Sequence, residues 1–394
     1  MKFDEYRKQH LSLNMARGKP SKELLDLSLP LLDELNSKDN FVIDNVDIRN
    51  YGVLDGLESA KKLIAELASV DKENVVIFGN SSLEIMNQLL ADSFLYGVNG
   101  SKPWSKLKEV KFICVVPGYD RHFAMLEHLG VKMISVPMKE DGPDMDKIEE
   151  LIKDETVKGI FSVPQYSNPT GNTYSDEVVK RFARLKPAAK DFRIYWDNAY
   201  IVHHLYEKHD KVANIFDYLI NPNLVYEFVS TSKMTFAGGG IAALITSKEN
   251  KDAVLNNLRY KTVGYDKVNQ YRHVKFLKDV DNINKLMKRH AEILRPKFDL
   301  VLSIFEKELK GLASWSKPKG GYFITLYVNG YASKVIELCK EAGVILTDAG
   351  ATFPYHNDPT DSVIRIAPSY PSLEELEVAT NVICSCIKML EGKE

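Results

Sequence analysis

Two rhythms of apolar positions alternate along the first three-quarters of the chain. Short runs rich in β-branched residues occur at Val75–Phe78, Lys111–Val116, Lys132–Val136, Gly159–Val163, Arg193–Trp196, Leu224–Val229 and Ile241–Thr246. Their length and composition predict buried strands. Between them, Leu57–Ala68, Ser81–Leu95, Asp146–Lys153 and Ser175–Leu185 place apolar residues at helical spacing. The last of these opens on Ser175 with Asp176 and Glu177 in its first turn, a helix-start signal. Strand–helix alternation predicts an α/β protein whose large domain, residues 46–283, holds a mostly parallel seven-stranded sheet flanked by helices. From about Asn284 to Lys310 the pattern becomes one long helix, with a kink expected at Pro296. A strand near Tyr322–Tyr327, a helix near Ala332–Ala342, a strand near Val363–Ala367 and a final helix from Ser372 follow. These predict a smaller α+β domain built from residues 1–45 and 284–394.

The length of 394 residues agrees with two lobes, since a single core seldom grows that large. A net charge of -2 provides no global field for nucleic acid or an anionic membrane, so an anionic ligand must be met by local groups. Without a signal-like apolar stretch or a bilayer-length run, the expectation is a soluble, cytoplasmic protein acting on small molecules. Cys114, Cys339, Cys384 and Cys386 are too few and scattered for a disulfide framework. Cys384 and Cys386, two apart on a helix, point to different faces and read as ordinary thiols. His203 and His204 are adjacent and point apart, so a structural role is expected and no metal is.

In an open α/β sheet, ligands gather at the carboxyl ends of the strands. After the first strand, Gly79-Asn80-Ser81-Ser82 turns into a helix whose free N–H groups suit a phosphate, although Ser and Asn cap many helices that bind nothing. After the fourth comes Asn168-Pro169-Thr170-Gly171, made of ordinary turn formers but a specific tetrad. After the fifth, Asp197 at a buried strand end needs either a capping role or a cationic partner. A protonated pyridine nitrogen would be such a partner. After the sixth, Ser230-Thr231-Ser232-Lys233 precedes Gly238-Gly239-Gly240. A lysine there is either desolvated into a nucleophilic amine or extended to solvent.

In this order, with Tyr51 and Gly56-Leu57 before them, Pro117-Gly118-Tyr119 between the Gly79 and Asn168 motifs and Arg365 after, these motifs resemble fold-type-I pyridoxal-phosphate (PLP) enzymes of the aspartate aminotransferase kind. Arg17-Gly18-Lys19-Pro20, Asp141-Gly142-Pro143-Asp144-Met145-Asp146 and Thr352-Phe353-Pro354-Tyr355 are similar to the class Ic subgroup, which is related to the aminotransferase half of MocR-type regulators. The resemblance implies that Lys233 carries the cofactor as a Schiff base and shuttles a proton. It implies that Asp197 pairs with the pyridine N–H, that Asn168 and Tyr200 bind the phenolic oxygen, and that Tyr119 stacks on the ring. Gly79, Asn80 and Ser81, with Ser230 or Ser232 and Tyr51 from a second subunit, would hold the phosphate, which implies a homodimer with shared sites. Arg365 would clamp the substrate α-carboxylate, with Asn168, Gly18 and Arg17 nearby.

Two positions depart from the family pattern. Ile241 stands eight residues after Lys233, where an arginine usually neutralises the phosphate, so another cation or neutral donors must serve. Lys261 falls where the aspartate enzymes present an arginine of the other subunit to the distal carboxylate, with Arg259, Arg272 and His273 as alternatives. The implied activity is ping-pong transamination between an amino acid, L-aspartate foremost, and 2-oxoglutarate. Another aminotransferase specificity or a PLP β-lyase is the nearest alternative. A ligand-sensing regulator would need a helix-turn-helix domain ahead of Arg17, where the sequence leaves no room for one.

Overall fold

The computed structural model describes residues 3–393. Eight strands form the central sheet: β1 (Val75–Ile77), β2 (Lys111–Val116), β3 (Lys132–Lys139), β4 (Gly142–Pro143), β5 (Val157–Ser162), β6 (Arg193–Asp197), β7 (Val225–Ser230) and β8 (Ala242–Ile245). Their order across the sheet is β1-β8-β7-β6-β5-β2-β3-β4. The run β7-β6-β5-β2-β3 is parallel, whereas β8 is antiparallel to both neighbours and β4 is antiparallel to β3. All seven expected strands are present. The eighth, β4, is an edge pair of residues containing a proline, too short to leave a periodic signal.

The parallel strands read as continuous apolar runs because both faces are covered. One face packs Phe112, Phe161, Tyr195 and Phe228 against Ile85, Met86, Leu89 and Leu90 of helix α1 (Ser82–Tyr96). The other packs Ile160, Ile194 and Trp196 against Val178, Val179 and Phe182 of helix α2 (Asp176–Ala183). Ser175 caps α2 as the sequence indicated, its side chain accepting from the Val178 N–H at 3.3 Å.

Helix α3 (Val280–Glu308) starts four residues earlier than the apolar pattern indicated because Asp279 caps it, accepting from Asn282 N–H at 2.7 Å. It runs through Pro296 as one helix. Its C-terminal half joins the final helix α4 (Leu373–Leu390) in a second core with Phe323, Ile324, Ile364 and Ile366. A three-stranded sheet of Ser314–Trp315, Ile324–Tyr327 and Val363–Ile366 lies in this lobe. The N-terminal segment belongs to the same body, since Leu13–Asn14 pairs in parallel with Val344–Ile345 and Phe3, Tyr6, Met15 and Leu24 enter its core. Cys114, Cys339, Cys384 and Cys386 are all buried free thiols. Among the described residues no helix is long and apolar enough to cross a membrane.

Candidate active site

The carboxyl ends of β5, β6 and β7, the amino end of α1 and the N-terminal segment enclose a cleft of about 940 Å³. Arg17, Gly18, Asn80, Ser81, Tyr119, Asn168, Asp197, Tyr200, Ser230, Ser232, Lys233 and Arg365 all line it. The expected site residues, spread over most of the sequence, thus converge on one space. Gly79 adjoins it, and its Cα faces open room: a side chain built there would come no closer than 3.5 Å to Glu84. Tyr51, 83% exposed, stands outside the cleft.

Lys233 follows β7 with its ammonium 5.0 Å from the centre of the Tyr200 ring. Enclosure by protein lowers its pKa from the ordinary 10.5, opposed by the negative charge of Asp197. Beneath it, His203 lies edge-on to Tyr200 and Tyr322. Burial, reinforced by Lys233, keeps that imidazole neutral, with its pKa well below 6.5.

Asp197 ends β6 and is buried. One carboxylate oxygen lies 3.1 Å from His122 Nε2, and the other, Oδ1, has no hydrogen-bond partner. His122 is itself stacked on Phe161, with ring centres 4.2 Å apart and planes 9° from parallel. It is also edge-on to Tyr119. A buried carboxylate oxygen without a partner is costly unless a donor is supplied from outside the chain. His122 was not anticipated, although it stands three residues after Tyr119 on the same helical face.

At the opposite wall, α1 begins at Ser81, whose side chain makes no cap hydrogen bond, leaving its hydroxyl and the first-turn N–H groups directed to the cleft end. Ser230 and Ser232 share a 2.7 Å hydroxyl contact, and Ser232 Oγ donates to the Asn80 carbonyl at 2.6 Å. This packing requires glycine at 240: a Cβ there would lie 2.8 Å from Ser232 N. Ile241, at the position of the missing arginine, is buried, and its backbone bonds to Thr231. This end of the cleft is therefore built from hydroxyls, an amide and backbone groups, with no arginine at 241.

Arg365 is 4.9 Å above the Phe323 ring and is already held by several partners. Nη1 donates to Asp120 Oδ1 at 2.7 Å and Asn168 Oδ1 at 3.2 Å, and Nε donates to Thr347 Oγ1 at 3.2 Å. The N-terminal segment crosses here, and a Cβ at Gly18 would strike Phe323 at 2.6 Å. Asp120, Thr347 and Phe323 had no sequence signal linking them to Arg365. Arg17 and Lys19 are exposed at the rim, with Arg121 on the facing helix.

Lys261 does not reach this cleft. Its ammonium pairs with the buried carboxylate of Asp92 on α1. Of the named alternatives, His273 is buried against Thr235 Oγ1, and neither Arg259 nor Arg272 lines the cleft.

The sequence model for aspartate amino-transferase matches residues 1–394. The chain belongs to that family. The aspartate aminotransferase of Corynebacterium glutamicum is 45% identical to this aminotransferase over 393 residues, 98% of this chain and 91% of that protein. A crystal structure of an aspartate transaminase from the same organism superposes with a TM-score of 0.96 at 44% identity, covering 100% of this chain and 95% of that one. An α-aminoadipate aminotransferase from Thermus thermophilus, solved with N-(5'-phosphopyridoxyl)-L-leucine, shares the fold at 18% identity and a TM-score of 0.80, covering 100% of this chain and 96% of that one.

Proposed function

We propose that this aminotransferase moves an amino group between L-aspartate and 2-oxoglutarate with PLP carried on Lys233. The observation that carries the reading is the unpartnered, buried Asp197 Oδ1 facing the same cleft as the depressed amine of Lys233. A cationic ring nitrogen satisfies the first, and an aldehyde suits the second. The Ser81 hydroxyl, which makes no cap bond, and the first-turn N–H groups of α1 offer neutral donors for a phosphate, and Ser230 and Ser232 would join them by giving up their present hydroxyl bonds, which accounts for the absence of an arginine at 241.

When bound, PLP supplies an aldehyde that condenses with amines and a ring that draws electrons from the attached carbon. Asp197, held by His122, would pair with the pyridine nitrogen and favour its protonated form. Asn168 and Tyr200 would donate to the phenolic oxygen, and Tyr119 would pack on the ring. The Lys233 amine would accept the proton from the substrate Cα and hand it on within the bound substrate and cofactor, a role its lowered pKa favours. Arg365 holds the α-carboxylate, which exchanges with Asp120 as the guanidinium partner. Arg17 and Gly18 lie in the segment that covers the substrate.

The lobes divide at residues 46–283 against 1–45 with 284–394, supported by the packing of the N-terminal segment into the C-terminal core. The active form is a homodimer, with Tyr51 reaching the phosphate of the second subunit. Supporting this, Tyr51, Tyr260 and Val263 are exposed apolar side chains, and Gly52 N–H donates to the Val263 carbonyl at 3.1 Å, bringing their two segments together. Lys261 meets the distal carboxylate in that dimer only by leaving Asp92.

Single-turnover conversion of the cofactor-loaded enzyme, followed by its visible absorbance, tests the assignment. L-Aspartate should convert it faster than alanine, aromatic or branched amino acids. Equal rates would refute the aspartate specificity.

A further inference from the structure

A second cavity, of about 620 Å³, lies behind the strand that ends in Asp197. Trp196 and Asn198 line it, whereas Asp197 between them faces the cleft, so β6 forms a wall between two separate spaces. Its floor is the sheet, and the loop after Tyr200 and the first half of α3 close over it. Much of its wall is apolar, including Leu67, Val202, Ile215 and Met287.

The floor carries one charged side chain. Glu227 occupies the centre of β7 within the otherwise apolar run Val225–Val229, and it is buried. One of its oxygens accepts from Asn198 Nδ2 at 2.7 Å. Among the described residues no cation pairs with it, and Asn198 Oδ1 is buried without a partner. Burial, opposed only by Asn198, pushes the Glu227 carboxyl up to about 7. A carboxylate and an unpartnered amide oxygen lining one cavity with too few donors leave room for a donor group brought by a ligand. At the rim the balance is opposite: Lys211, Lys288 and Arg295 stand against Glu207 alone.

We propose that this cavity binds a small zwitterion, an amino acid with an apolar side chain, its ammonium inward on Glu227 and Asn198 and its carboxylate outward at the basic rim. The apolar walls take the side chain. A charge-assisted hydrogen bond in an enclosed site accounts for about tenfold in affinity or more. Nothing in the proposed transamination uses this space, so the site is distinct from the cleft.

The test titrates the cofactor-loaded enzyme calorimetrically with N,N-dimethyl-L-leucine, whose tertiary amine cannot condense with an aldehyde. Saturable binding is expected, weakened at least tenfold in Glu227→Gln, abolished in Ala213→Trp, which blocks the half-buried rim, and weakened at least tenfold for N-acetyl-L-leucine, which lacks the ammonium. Absence of saturable binding at millimolar probe overturns the proposal. Unchanged affinity in Glu227→Gln or in Ala213→Trp does so too, because the probe then sits elsewhere. Should the glutamine variant fail to fold, the rim variant and the acetylated probe decide.

Discussion

The two ends of the cleft are built on opposite plans. At the end proposed for the cofactor, bonding capacity is left open: Asp197 Oδ1 has no partner, and Ser81 makes no cap bond. At the end proposed for the substrate, Arg365 already bonds Asp120, Asn168 and Thr347 and packs on Phe323. Open groups in a buried wall favour a resident that stays, because losing it restores their desolvation cost. An arginine that already has a carboxylate partner favours a visitor, because the protein offers that partner again when the substrate leaves. The difference teaches that residence time is written in which groups the fold leaves unsatisfied.

The largest effect that would break this comparison is at Asp197. Asp197→Asn keeps the shape and the His122 contact but removes the charge, and retention of PLP should weaken by about two to three orders of magnitude, as for one partner of a buried ion pair. Equilibrium dialysis measures it, and unchanged retention would mean that the open oxygen is not a cofactor contact.

An intermediate effect sharpens the picture of the floor beneath Lys233. Burial holds His203 well below 6.5 and His290 down to about 4. Both are neutral in the fold while the unfolded chain takes up protons below 6.5, so folding stability present above that value is lost as pH falls from about 6.5 toward 4. The expected loss is about 1.4 kcal/mol per pH unit for each histidine. Denaturant titrations across that window measure it, and a His290→Gln variant should show a shallower slope.

The smallest effect lies at the Arg365 end. Asp120→Asn removes the charged competitor for Arg365, and KM for the amino donor should fall about two- to fivefold, the scale of a partly exposed pair. A rise in KM would instead make Asp120 a support that aims the guanidinium.

Much of this was legible from the sequence. The strands were readable because sheets buried on both faces demand unbroken apolar runs, and the site residues because strand ends collect them. The partners that tune them were not. Asp120 and Arg365 meet across 245 positions, and nothing local to either announces the contact. His122 did carry a signal, its helical spacing from Tyr119, but its contact with Asp197 depends on how that helix docks on β6. Glu227 carried another, a carboxylate inside an apolar strand. Its surroundings became visible only when α3 was seen to close over it. Lys261 is the converse case, a residue placed by motif that the fold pairs with Asp92.

The central claim rests on Lys233, and borohydride reduction of the cofactor-loaded enzyme followed by peptide mapping tests it most directly. The account predicts loss of the visible absorbance and a reduced adduct on the peptide containing Lys233. An adduct on another lysine, or none, would contradict it.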